Sequence, residues 1–255
     1  MFKTFWIILL FGSIALGGEP NKALHEKCLY PSVMVMNQSK GGFGSGFIVK
    51  SVKKDKNYEN YVFTVAHVVN DPFEEISEIA DALNPTKPIK IKARVGIYKN
   101  WSTLIDFKDY HCDILTANTN KDIALLKFHS EKEMYTVDVD PIPNIFIGDD
   151  IYRIGCGLGE PFRLDYGKIT SVKNSVGNMI KDTYRTSIPS LMGDSGGLVA
   201  HNNKVIGLLQ AVHFTNINSG IPGIHASAPV YHMSYVVPIQ RFYTEPEVMK
   251  HLLKN

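Results

Sequence analysis

At 255 residues the chain can bury a sizeable core, as one domain or as two small lobes. A hydrophobic content of 44% with 20% charged residues excludes a disordered chain. A formal net charge of +2, with no Lys/Arg cluster interleaved with aromatics, argues against a nucleic-acid partner.

The chain opens on MFKTFWIILLFGSIALGGEP, where Lys3 precedes an apolar stretch from Phe5 to Leu16 and small residues follow. That order is the pattern of a secretory signal peptide over 1–18, with cleavage after Gly17 or Gly18. The apolar stretch falls short of the roughly 20 residues that cross a bilayer. The expectation is a secreted or periplasmic protein, free of the membrane once the leader is cleaved and anchored if it is not. Cys28, Cys112 and Cys156 are too few for a disulfide-stapled scaffold, lack C-x-x-C spacing, and leave their pairing open.

Short β-type runs follow, separated by turn residues: 32–36, 45–52, 60–69, 89–98 and 122–128. A second set covers 150–157, 166–173, 179–188, 196–200, 204–214 and 234–239. Many short strands with Gly, Pro and Asn at their ends predict an all-β sandwich or barrel. The segment 137–150, with Pro141 and Pro143, reads as a connector, which divides the chain into lobes over 30–136 and 144–240. Two helices are expected. DPFEEISEIADAL (71–83), inside an insertion over 71–88, carries Asp, Pro and acids in its first turn; EPEVMKHLLK (245–254), within the tail 241–255, places Val248, Leu252 and Leu253 on one face.

The stretch PSLMGDSGGLVAHNNKVIGLL (189–209) suits neither a strand nor a helix around its glycines. A serine framed by Gly193, Gly196 and Gly197 suits a tight turn that presents a hydroxyl and gathers backbone N–H groups, as acyl transfer requires. The bland alternative is a glycine-rich turn with a solvated serine. Ser195 as a nucleophile needs a base and an acid to orient it. Among the nine histidines, His67 ends the apolar run FTVAHVV, where a buried imidazole needs partners. A core histidine bonded to a carbonyl is the alternative there, and His25, His129, His201, His213, His225, His232 and His251 read as solvated. No histidine pair has the i, i+4 spacing of a zinc site, so neither metal nor other cofactor is expected. Asp122 opens DIALLKF and could turn its carboxylate inward, or simply cap a turn.

In the order His67, Asp122, Ser195, the strings TVAHVV, DIALLKF and GDSGG resemble the trypsin-like (chymotrypsin-fold) serine proteases. GFGSGFIV (42–49), YRIGCGLGEPFRLDYGKITSV (152–172) and KVIGL are similar to its bacterial and HtrA-type branch. The resemblance spans about residues 30 to 240. It implies two six-stranded antiparallel β-barrels with a catalytic triad in the cleft between them. In that frame Ser195 attacks, His67 moves the proton, Asp122 orients the imidazole, and the N–H groups of Gly193 and Ser195 form the oxyanion hole.

The departures carry expectations of their own. No Ile or Val start follows the leader, so Asp194 is expected to find a cation other than a new N-terminus. One terminal helix follows the second lobe, so the PDZ domain usual in HtrA-type chains, and the peptide sensing it brings, are not expected. Pro189 stands six residues before the nucleophile, where trypsin carries the acid that selects basic side chains. With Leu209, Gln210, Ala211 and Val212 on the lining strand, the pocket is expected to favour small or apolar P1 residues of polypeptide substrates. The rival reading is a catalytically silent protease-fold binding module.

Overall fold

The computed structural model describes residues 21–70, 89–99, 103–160, 162–176, 180–218 and 225–253. The expected leader and the helix expected over 71–83 lie outside them. Within them are two closed six-stranded antiparallel barrels. The first runs β1 (Ser32–Asn37), β2 (Gly42–Lys54), β3 (Asn57–Thr64), β4 (Ile91–Lys99), β5 (Thr103–Asn118) and β6 (Ile123–Ser130), closed in the order β1-β2-β3-β6-β5-β4. The second runs β7 (Asp150–Gly155), β8 (Arg163–Val176), β9 (Ile180–Thr186), β10 (Leu198–His201), β11 (Lys204–Asn218) and β12 (His225–Pro238), closed in the order β10-β11-β12-β9-β8-β7.

Alternation along the strands explains where the core sits. Side chains on a strand point to opposite faces, so a strand reads as a continuous apolar run only when both faces are covered. In β3, Val62 faces the interior of the first barrel, while Tyr61 and Phe63 face the second. In β6, Ala124, Leu126 and Phe128 face inward while Ile123 and Leu125 face the partner barrel. In β11, Ile206 and Leu209 fill the second barrel, and Val205 and Leu208 join the shared core. Phe47 meets Phe63 edge-on at 6.0 Å, and Phe63 packs on Phe242 at 3.9 Å between centroids. The barrels thus share one apolar interface in addition to their separate interiors.

The connector stitches this interface at its rim. Val137 N–H donates to Ile48 O on β2 at 3.0 Å, and Val205 N–H on β11 donates to Asp138 O at 2.8 Å. Hairpin β10–β11 turns through Asn202 and Asn203, both at positive φ (52° and 60°), as a two-residue hairpin turn demands.

Three elements differ from the sequence expectation. The run over 60–69 is not one strand: β3 ends at Thr64 and Ala66–Val69 forms a helical turn. The strand β5 interleaves Asp106, Lys108, Asp109, His111 and Asp113 with its apolar residues, which hides its period. The terminal helix is Pro246–Leu252, with Val248 buried and Leu253 largely exposed just beyond it. All three cysteines are free thiols, Cys28 and Cys156 fully buried. Burial raises Cys28 to about 11 and both Cys112 and Cys156 to about 12.

Candidate active site

The helical turn after β3 lifts His67 out of the strand and leaves its ring about a third exposed, while Ala66 and Val69 anchor the turn in the core. Asp122 closes the turn before β6 at φ 51°, its N–H donating to Thr119 O at 3.3 Å. The positive φ aims its carboxylate at His67. Nδ1 of His67 lies 3.0 Å from each Asp122 carboxylate oxygen, and the His67 backbone N–H donates to Oδ1 at 3.1 Å. An ionised carboxylate only accepts, so Nδ1 carries the proton and Nε2 is the basic nitrogen.

Burial is the largest single influence on the Asp122 carboxyl and pushes it up. The His67 ring bond, its charge, the His67 N–H and a bond from the Gln210 side chain together outweigh burial and hold the carboxyl below its ordinary value. Gln210 also ties in the second barrel, because the Ser195 hydroxyl donates to its carbonyl at 3.1 Å. Ser195 is therefore joined to the His67–Asp122 pair through one residue, with its hydroxyl on Gln210 O and not on the imidazole.

The backbone around Ser195 is a tight turn held by close contacts at its glycines. Met192 O accepts from Leu158 N–H at 2.6 Å, and in a trans peptide this turns the Gly193 N–H the opposite way. Gly193 sits at φ +94°, where a Cβ would overlap the Phe43 ring and lie 2.7 Å from Cys156 O. Gly196, at φ +87°, presses on Ser45 O so closely that a side chain has no space. Neither the Gly193 nor the Ser195 N–H donates to an acceptor among the described residues.

Asp194 is fully buried and accepts from Arg153 Nη1; Leu191 N–H donates to it at 2.7 Å. Arg153, itself fully buried on β7, also donates through Nη2 to Asp165 and, at 3.1 Å, to Pro189 O. Arg163 completes the group, 2.7 Å from Asp165 and 3.7 Å from Asp194. Burial pushes the Asp194 carboxyl up and the Arg153 guanidinium down, each opposed by the other's charge. Sequence reasoning missed Arg153, although a cation inside the apolar run DIYRIG is a signal that a buried partner must exist.

The residues expected to line the pocket divide. Leu209 turns its side chain into the second barrel's core and meets the serine turn through its backbone, its carbonyl accepting from Gly196 N–H at 2.7 Å and its N–H donating to Gly197 O at 2.8 Å. Gln210 reaches Asp122 instead of a pocket. Pro189, Ala211 and Val212 stay half-buried. Among the described residues no group of three or more His, Cys, Asp or Glu could hold a metal ion.

A family model for the trypsin-like peptidase domain matches residues 44–208, well over half of the chain. The chain belongs to the trypsin-like peptidase family. No curated protein sequence matches it. Among solved structures this peptidase is similar to the crystal structure of Deg5, at TM-score 0.62 and 16% identity, over 90% of this chain and 93% of that one. That likeness extends the twin-barrel fold over nearly all of the peptidase; family membership makes it a serine-peptidase hydrolase acting on polypeptides.

Proposed function

We propose that the peptidase cuts peptide bonds with Ser195 as nucleophile, His67 as general base and Asp122 as the group that orients it. The contact between His67 and Asp122, carried on to Ser195 through Gln210, is the observation that supports this assignment. Ser195 leaves the Gln210 carbonyl for His67 Nε2 by rotation about its Cα–Cβ bond. Its Oγ then bonds to the scissile carbonyl carbon as the proton passes to Nε2. The oxyanion accepts from the N–H groups of Gly193 and Ser195. The C–N bond breaks as His67 returns the proton to the leaving amine, and water releases the acyl group by the same route.

The pocket prefers small or apolar P1 side chains, since Pro189, Ala211 and Val212 bring no charge to it. The pair of Arg153 with Asp194 supplies the cation that trypsins obtain from a new N-terminus, so the fold is competent without activating cleavage. The strings around Gly42–Val49 and Tyr152–Val172 set the peptidase in the HtrA-type branch, and the leader directs it out of the cytoplasm. The bond from Ser195 to Gln210 O also suits the rival reading, a silent binding module. A fluorophosphonate probe separates the two. Labelling of the wild type that disappears in Ser195→Ala establishes the enzyme, and folded wild type that stays unlabelled establishes the module.

A further inference from the structure

The glycine-rich start of β2 carries one hydroxyl, that of Ser45, and it lies against the turn around Ser195. Ser45 is buried, and its groups meet that turn at Gly193, Ser195 and Gly196. Its Oγ donates to Gly193 O at 2.7 Å, and its backbone N–H donates to Ser195 O at 2.7 Å. Its carbonyl lies against Gly196 and accepts from the Thr64 hydroxyl at 2.7 Å. Cys156 N–H, at the end of β7, donates to the Ser45 Oγ at 2.8 Å.

Few directions are open to the hydroxyl proton. Cys156 N–H can only donate, Gly193 O accepts at 2.7 Å, and the Cys156 sulfur beside it is a much weaker acceptor, so the proton is directed at Gly193 O. That carbonyl belongs to the Gly193–Asp194 peptide, which lies between the Gly193 N–H and the Ser195 N–H. The opposite edge of the same peptide is held by Asp194 N–H, donating to Leu191 O at 3.1 Å. A planar unit fixed at both edges cannot rotate, so the spacing and direction of the flanking donors are fixed with it.

We infer that Ser45 is a positioning residue for the oxyanion hole: a first-barrel hydroxyl that sets the peptide plane between the two donors of the second barrel. The inference rests on the assignment of Ser195 as nucleophile. Ser45 touches no substrate atom and acts through Gly193. Its removal takes a partner from Gly193 O, in a part-buried bond, and from the buried Cys156 N–H, and the peptide between the donors is then free to tilt.

The test is Ser195 phosphonylation by a fluorophosphonate and the p-nitrophenyl acetate burst, neither of which depends on the P1 pocket. Ser45→Ala is expected to lower the limiting phosphonylation rate and the burst rate by about 100-fold, with half-saturation by the probe unchanged, as for a displaced oxyanion donor. Ser45→Cys keeps a weaker donor at the same place, falls between the two, and serves alone if the alanine variant does not fold. The low-field proton resonance of His67 Nδ1–H is expected to persist in both variants, showing the His67–Asp122 pair intact. A folded Ser45→Ala with limiting rates within threefold of wild type overturns the inference, as does a change confined to half-saturation. Wild type that is not phosphonylated at Ser195 overturns the nucleophile assignment instead.

Discussion

Two aspartates, Asp122 and Asp194, are both buried and both paired with a base, but their surroundings direct them to different work. Asp122 meets an imidazole that is about a third exposed, takes its further bonds from a backbone N–H and an amide side chain, and is held below its ordinary pKa. Asp194 meets a guanidinium that never loses its proton, and burial dominates both partners. A carboxylate facing an imidazole at a cleft can orient it and fix its tautomer; one facing a permanent cation in the interior can only hold a loop. Under the proposed assignment Asp122 serves the chemistry and Asp194 braces the turn.

Three substitutions and one condition break that comparison, from the largest effect down. Asp122→Asn leaves the geometry but favours the wrong imidazole tautomer, and is expected to lower kcat by about 10⁴-fold with the melting temperature nearly unchanged. Steady-state kinetics beside a thermal melt checks it; a loss under tenfold would remove Asp122 from the mechanism. Arg153→Met strands Asp194 and is expected to cost about 3–5 kcal/mol, roughly 10 °C of melting temperature, with activity lost alongside. Arg153→Lys keeps the charge without the fork that reaches Asp194, Asp165 and Pro189 together, and should fall between. Denaturant titration of both variants measures the order.

The smallest effect is acid sensitivity. Because the folded Asp122 carboxyl lies below its unfolded value of about 3.9, its stabilisation is complete above that pH and disappears as pH falls through the folded value. Wild type should therefore lose more stability than Asp122→Asn between about pH 4 and pH 2. Parallel slopes in that window would show that Asp122 is not linked to folding.

The sequence made some of this legible and left the rest obscure for physical reasons. His67, Asp122 and Ser195 stood in apolar or glycine-rich strings where each polar group needed explaining. The residues that link and support them did not. Gln210 gives no outward sign that its two ends serve Asp122 and Ser195, and Ser45 resembles any small strand residue until Gly193 O is seen beside it. The strand β5 was hidden because surface-exposed charges interrupt its apolar period. Leu209 to Val212 are four consecutive residues, and alternation along a strand sends only some of them to one face: Leu209 packs in the barrel, and a bulge between Leu209 and Ala211 offsets the residues that follow.

The free thiols have a consequence for what holds the barrels together. Cys28, Cys112 and Cys156 stay protonated at neutral pH, and protonated sulfur neither attacks disulfides nor binds metal readily. No crosslink among them holds the barrels together, so a change in the redox poise of the surroundings has nothing to cut. The two barrels are held by packed side chains and fixed charges, with no disulfide among the three cysteines.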